Sequence, residues 1–405
     1  MNLVVAGMQV GDEGKGKIVD YLAEKADYVV RYNGGGNAGH TIIADGKKTV
    51  LHYIPSGILR GKKCVIGNGV IVSLEKIKEE IEMLEKQGLN IKENLFISEL
   101  AHIVLPEYME TSKTEKSEST GRGVSPTYQA KVAREGIRMY DIVNYQFLDQ
   151  DNKRLKIKEC IPYLKEHQWI KPFIINTVEL LNDAIKNKKN ILFEGAQGTT
   201  LCVDFGGYPY TTSSNPGAAG APVGAGIGPH HIHKVLGVAK AYITRVDRTG
   251  ASPLPTQIDD EVGDMIRKKG DEFGATTGRP RRCGWFDVPI LRHSLMVNGV
   301  HSLILTKLDV LDGLEEVKLC VSYDINGTTF EKAPADGLMM QMAKPIYEAM
   351  PGWKESTVGV KSFDDLPENA KKYVRRIEEL ADIKCSIVCN GPERNSIIIL
   401  EDPWK

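Results

Sequence analysis

The stretch VVAGMQVGDEGKGKIVDYL, residues 4–22, constrains the fold more than any other: a short apolar strand runs into a glycine-rich turn and then into a helix. Such a turn points backbone N–H groups outward at the positive end of the helix, where an anion is stabilised. Gly11, Gly14 and Gly16 let the backbone wrap that anion, and Lys15 or Lys17 adds balancing charge. The usual phosphate loop ends in Gly-Lys followed by Ser or Thr, whose hydroxyl holds Mg²⁺. Here Gly16 follows Lys15, and an acidic pair, Asp12 and Glu13, sits inside the loop. A carboxylate beside phosphates is repelled unless a divalent metal lies between them or it serves as a base. Mg²⁺ prefers carboxylate and phosphate oxygens. Asp12 could therefore take the metal role of the missing hydroxyl, accept a proton, or do both.

Short apolar runs bounded by glycine and polar residues recur at Leu3–Ala6, Tyr28–Val30, Cys64–Ile66, Ile191–Phe193, Val235–Val238, Leu303–Leu305 and Ile397–Leu400. They lack strict alternation, so they read as strands covered on both faces. Between some lie helical patterns. In SLEKIKEEIEMLEKQG, Leu74, Ile77, Ile81 and Leu84 share one face, with Ser73 as N-cap, Gly88 as the stop and the charges on a solvated face. Strand–helix alternation predicts an α/β fold with a large, mainly parallel central sheet flanked by helices and small subsidiary elements. The length allows one large domain or about two to three smaller ones, and no low-complexity linker divides the chain. The segment Gly206–Pro229 is too rich in Gly and Ala to supply much core. It is a linker or a loop whose backbone approaches a ligand, and its Tyr208, Tyr210, Thr211, Thr212, Ser213 and Ser214 favour the ligand.

Composition narrows the class. A net charge of −1 gives no global field for nucleic acid or an acidic membrane. The seven cysteines form no CxxC pair, so neither a disulfide framework nor a zinc ribbon is indicated, and Cys385 and Cys389 read as structural. No stretch approaches a membrane span and no leader-like segment follows Met1, so a cytoplasmic protein is the expectation.

Further motifs carry chemistry. RYNGGGNAGHTI places Asn33, Asn37, Gly39 and His40 in a flexible polar loop after a strand, a position suited to catalysis. TKLD, residues 306–309, follows an apolar strand and resembles the guanine-reading element of GTP-binding proteins: Asp309 suits the paired N–H donors of guanine, and the Lys307 stem covers the base. GATTGRPRRCGW concentrates Thr276, Thr277, Gly278, Arg279, Arg281 and Arg282, and arginine forks suit carboxylates and phosphates. STGRGVSPTYQAKVAREGIR repeats the flavour with Thr120, Arg122, Lys131, Arg134 and Arg138. Two anion loops beside a GTP site suggest two further acidic substrates.

Taken in order, GDEGKGKIVD, NGGGNAGHT, LHYIPSGIL, STGRGVSPTY, FEGAQGT, YPYTTSSNP, GATTGRPRR, TKLDVLDGL and CNGPERN resemble the adenylosuccinate synthetase family over nearly the whole chain. The resemblance implies a single domain over residues 1–405, and a homodimer of nucleotide-loop ancestry that couples GTP hydrolysis to condensation of IMP with L-aspartate through 6-phosphoryl-IMP, with one Mg²⁺ per subunit. It implies catalytic roles for Asp12, His40 and Gln197, with Asp12 and the Gly39 carbonyl as metal ligands. GTP would be held by Gly11, Glu13, Gly14, Lys15, Gly16, Gly39, His40, Thr41, Arg281, Lys307, Asp309, Asn390 and Gly391. IMP would be held by Asp12, Asn37, Thr120, Gln197, Thr212 and Arg279, with Arg134 reaching across the dimer interface to the partner's IMP phosphate. Gly274, Ala275, Thr276, Thr277, Arg279 and Arg281 would clamp the aspartate. The chain departs from the family pattern at Val10, where Trp is more usual, in the longer turn RVDRTGASP near Arg248, and at Pro280 within the arginine run. Two other readings stay open: a regulatory GTPase, which leaves the anion loops unexplained, and a phosphotransferase that stops at a 6-phosphoryl nucleotide.

Overall fold

The computed structural model describes residues 1–114, 120–150, 154, 157–246, 250–274 and 278–405. Its frame is a ten-stranded sheet. In chain order the strands are β1 (Asn2–Gly7), β2 (Tyr28–Arg31), β3 (Lys63–Ile66), β4 (Leu95–Ser98), β5 (Ile174–Ile175), β6 (Ile191–Gly198), β7 (Lys234–Lys240), β8 (Ser302–Thr306), β9 (Cys385–Cys389) and β10 (Ile397–Ile399). Across the sheet they run β10-β9-β8-β7-β1-β6-β2-β3-β4-β5. Every neighbouring pair is parallel except β9–β10, where the last strand closes one edge antiparallel. Each apolar run read from the sequence lies in this sheet.

The missing alternation has its physical reason in β1. Leu3 and Val5 join the core on one face, Val4 and Ala6 the core on the other, and all four are fully buried. Strand order reverses direction about β1, which is flanked by β6 and β7, so the connections diverge there and leave a crevice at the strands' carboxyl ends. A four-stranded sheet built on Glu316–Ile325 packs beside this frame. Among the described residues, no helix is long and apolar enough to cross a membrane.

Helix Leu74–Glu85 forms as expected, with the Ser73 hydroxyl accepting from the Lys76 N–H and Gly88 at a left-handed φ of 83° beyond its end. Its polar face is not wholly solvated, however. Glu80 is buried and accepts the backbone N–H groups of His52, Tyr53 and Ile54, so one charge of the run pins a loop. The Gly/Ala-rich segment also needs correction. Its second half contributes Ala218, Ala221 and Ala225 to the core, the last two from helix Gly220–Ala225. A Cβ on Gly224 would stand 2.0 Å from the Tyr32 carbonyl, so glycine there serves close packing rather than a ligand.

Candidate active site

A cleft of about 910 Å³ opens at the carboxyl end of the sheet, walled by the segments that follow β1, β2, β6, β8 and β9. The glycine-rich loop forms its floor. Glu13 lines the cleft, and its buried carboxylate accepts the N–H groups of Gln9 (3.1 Å) and Gly11 (2.9 Å) and pairs with Lys15 Nζ at 2.5 Å. Gly7 has no side chain because a Cβ there would stand 2.5 Å from that carboxylate. The loop is braced from the turn after β6 by Thr199 and Thr200, whose hydroxyls donate to the Gly7 and Gln9 carbonyls, and from β8 by Thr306, whose hydroxyl donates to the Glu13 carbonyl. Val10 belongs to a small buried apolar cluster with Ile243 and Leu254, against which Leu201 packs, and it is a smaller group than the more usual tryptophan.

Asp12 takes a left-handed φ of 59°, a conformation that costs a non-glycine residue about 1–3 kcal/mol and is concentrated at functional sites. Its side chain lines the cleft and lies 2.9 Å from Arg281 Nε. The contact is ionic rather than a directed hydrogen bond, since that Nε finds no aligned acceptor. The carboxylate keeps its lone pairs for a proton or a metal.

The structure also accounts for the glycine that replaces Ser or Thr. Gly16 opens helix α1 (Lys15–Leu22) against His40, and a Cβ on it would stand 2.7 Å from the His40 Cβ. A hydroxyl side chain and a histidine cannot share this corner, so the metal-holding function must be met elsewhere in the loop. Gly16→Ser is expected to displace His40 and lower kcat by at least about tenfold, with overpacking costing about 1–3 kcal/mol of stability. Steady-state rates and thermal melts check both, and an unchanged kcat would refute this account of Gly16.

His40 is buried at the cleft wall. Its Nδ1–H donates to Glu194, which also accepts the Ser56 N–H and hydroxyl, each at 2.8 Å, and lies 3.7 Å from the Arg31 guanidinium. Burial pushes the imidazolium down from its ordinary pKa, aided by Arg31 and opposed by Glu194. Burial alone would raise Glu194, but His40, Arg31 and the Ser56 hydrogen bond hold it below the usual carboxylate range. An ionised, acceptor-only Glu194 fixes the Nδ1–H tautomer of His40 and leaves Nε2 for the cleft.

At the other end, Lys307 and Gly391 line the cleft, with Asp309 in the turn Leu308–Leu311 just beyond. The Lys307 ammonium is tied to the Gly270 carbonyl (2.6 Å) and to Glu272 (2.7 Å), which leaves its stem to cover a base. Asp309 Oδ1 is buried with no partner among the described residues, and burial raises its carboxyl pKa. Asn390 sits behind this end, its amide donating to the Thr357 and Val360 carbonyls. Lys17, the alternative phosphate lysine, donates to the Gly391 and Ser396 carbonyls, whereas Lys15 has only the Glu13 carboxylate as its partner among the described residues and stays beside the loop.

Asn37, Gln197 and Thr212 all line the cleft, and each has buried polar atoms without a partner among the described residues: Asn37 Oδ1, both amide atoms of Gln197, and Thr212 Oγ1. Buried polar groups are nearly always satisfied, so orphans converging on a cavity mark a ligand's place. Gln197 is moreover held at φ 60°. Thr120, Gly11, Gly14, Gly39 and Thr41 line the same cleft, as do Tyr208, Tyr210, Thr211 and Ser213. Asn33 does not: its side chain clamps the Ala196 backbone.

The arginine segment is only partly in place. Arg281 lines the cleft, Gly274 and the exposed Arg279 meet at the neck of the loop, and Ala275, Thr276 and Thr277 lie outside the described residues, as does the turn at Arg248. Arg134 is exposed at the end of helix Val124–Ala133 and lines a different cavity, of about 420 Å³, with Lys131 and Arg138. Within one subunit it is not brought to the cleft.

Sequence reasoning missed Glu194, Arg31, Ser56 and Glu272. The signal was present for the first two. A carboxylate in ILFEGAQG and a guanidinium in YVVR, each within a strand covered on both faces, must find a partner in the interior.

A parallel sheet, a glycine-rich loop closing on a helix N-terminus, and a polar cleft at the switch in strand order together define a phosphate-loop nucleotide-binding enzyme. Comparison with known proteins narrows the class. The family model described as adenylosuccinate synthetase matches residues 4–398. The adenylosuccinate synthetase of Halothermothrix orenii is 47% identical over 98% of this chain and 98% of its own, and that of Caldanaerobacter subterraneus is 48% identical over 98% and 99%. The fully ligated adenylosuccinate synthetase structure from Plasmodium falciparum superposes with a TM-score of 0.88 at 36% identity, covering 98% of this chain and 99% of that one. The chain belongs to the adenylosuccinate synthetase family, a family of ligases.

Proposed function

We propose that the chain, acting as one domain over residues 1–405, joins IMP and L-aspartate to give adenylosuccinate, GDP and phosphate, the committed step from IMP toward AMP. The observation that carries this reading is the set of orphaned buried polar atoms on Asn37, Gln197 and Thr212, which line the same cleft as Asp12. A GTPase switch would have no use for them.

The chemistry follows from the poor leaving group at C6 of IMP. Asp12 removes the N1 proton, and the electron density released moves onto O6, which attacks the γ-phosphorus of GTP. Lys15 and the loop N–H groups hold the phosphates, and His40, backed by Glu194, offers Nε2 to the phosphoryl group in transit. Such transfer needs positioning and charge stabilisation more than covalent help. The aspartate amine, with its carboxylates held by Arg281 and the segment 274–281, then displaces phosphate from C6. Lys307, Asp309, Asn390 and Gly391 read the guanine.

Mg²⁺ fits the donors present. Asp12 and the Gly39 carbonyl line the cleft, and among the described residues no cluster of three acidic, His or Cys side chains builds an all-protein cage. Mg²⁺ suits such a sparse set, because it keeps waters and takes phosphate oxygens. When bound it would neutralise charge on the phosphates.

The decisive assay mixes purified protein, GTP, IMP, Mg²⁺ and aspartate and follows adenylosuccinate by absorbance. GTP turnover that ignores IMP and aspartate would overturn the ligase reading. The working form is proposed to be a cytoplasmic homodimer in which Arg134 serves the partner's IMP. What supports this is its exposure in a cavity other than its own cleft. Mixing inactive Arg134→Leu with inactive Asp12→Asn should restore up to about a quarter of normal activity, since half the random dimers are hybrids with one intact site. No recovery after confirmed subunit exchange would count against the shared site.

A further inference from the structure

We propose that Glu272 is a positioning residue that couples nucleotide recognition to the aspartate loop and to Asp12, a proposal that rests on the ligase reading. Glu272 follows helix Glu261–Lys269 and its side chain is fully buried. Its Oε1 accepts from Lys307 Nζ at 2.7 Å, from the Tyr242 hydroxyl at 2.6 Å and from Lys240 Nζ at 3.2 Å. Its Oε2 accepts from Arg281 Nη1 at 2.6 Å. Burial alone would raise this carboxyl, but Lys240, Lys307 and Arg281 hold it well below the usual range, so it stays ionised as the shared counter-ion.

Two of these partners, Lys307 and Arg281, lead to different parts of the cleft. Lys307 lines the nucleotide end of the cleft. Arg281 reaches Asp12 Oδ2 at 2.9 Å through Nε while Nη1 is held by Glu272. The Arg281 N–H also donates to the Glu272 carbonyl at 2.9 Å, and the Gly274 N–H to the Arg279 carbonyl at 2.8 Å. Glu272 therefore closes the neck of the segment assigned to aspartate. One buried carboxylate is shared by a lysine that meets the base and an arginine that meets both the aspartate loop and the proton acceptor. A base stacked on the Lys307 stem fixes the chain that carries this ammonium, and with it one of the claims on Glu272 that set how Arg281 is held. Nucleotide and aspartate binding become linked, and linkage is reciprocal.

The test measures the aspartate KM at saturating and at limiting GTP. In the unaltered protein the KM is expected to fall by about fivefold or more as GTP saturates. In Glu272→Gln it should be nearly independent of GTP, with the IMP KM within about twofold of normal. A merely structural role would lower the melting temperature and the active fraction but leave this dependence intact. Persistence of the coupling in Glu272→Gln, or its absence from the unaltered protein, overturns the proposal. Where Glu272→Gln does not fold, Tyr242→Phe decides, since it removes one hydrogen bond to Oε1 and keeps every charge. Reduced coupling supports the role of Glu272 and unchanged coupling overturns it. Failure of the unaltered protein to make adenylosuccinate is scored first and separately, and counts against the reaction itself.

Discussion

Asp12→Asn is expected to lower kcat by about three orders of magnitude while the folded protein binds IMP within about twofold of normal, as a general base contributes about 10²–10⁴ in rate. The substitution is close to isosteric, and asparagine tolerates the left-handed φ of 59° that the loop imposes, so the backbone should hold its course. What is lost is charge. The amide cannot take the N1 proton, it is a weaker ligand for a divalent cation, and it no longer offsets Arg281 at 2.9 Å. Without deprotonation at N1, O6 is too weak a nucleophile toward the γ-phosphorus. Titration calorimetry with IMP and a thermal melt separate loss of chemistry from loss of fold. Near-normal turnover would rule out the base role.

The legible parts of this molecule are those whose chemistry is local in sequence. Apolar runs without alternation announced strands buried on both faces, and β1 shows why, sending Leu3 and Val5 one way and Val4 and Ala6 the other. The oddity of the phosphate loop was visible at Asp12, but its reason was not. Gly16 stands where a hydroxyl is usual because His40, twenty-four positions on, packs on it, a contact that only the folded chain reveals. Polar residues that act through distant partners were likewise hidden. Glu80 looked like part of a solvated helix and instead caps the backbone of residues 52–54, while Glu272 shares its carboxylate among four residues from three segments. The ligand loop at 206–229 was half right, since its tyrosines and threonines line the cleft while its alanines pack into the core.

Glu194 shows what such a hidden partner does for the chemistry. Glu194→Gln is expected to lower kcat by about 10²–10³ with each substrate KM within about threefold, between the roughly 10–100-fold cost of losing a metal ligand's outer partner and the roughly 10⁴-fold cost of losing a catalytic imidazole's orienting carboxylate. In the present arrangement the ionised carboxylate takes the Nδ1–H of His40 and would stabilise the imidazolium if positive charge develops as Nε2 meets the phosphoryl group. A glutamine can turn either its oxygen or its N–H toward Nδ1. One choice keeps the tautomer without the charge, and the other reverses the tautomer. The substitution also leaves Arg31, buried to 1% exposure, without its counter-ion, so stability should fall by about 3–5 kcal/mol. Rates are therefore taken well below the lowered melting temperature and expressed per folded protein. Ser56→Ala is the graded control: it removes one of the hydrogen bonds to Glu194, keeps every charge, and should cost less than about tenfold in kcat. A Glu194→Gln enzyme that loses stability yet keeps kcat within about fivefold would reduce Glu194 to a structural counter-ion for Arg31 and leave His40 to act unaided.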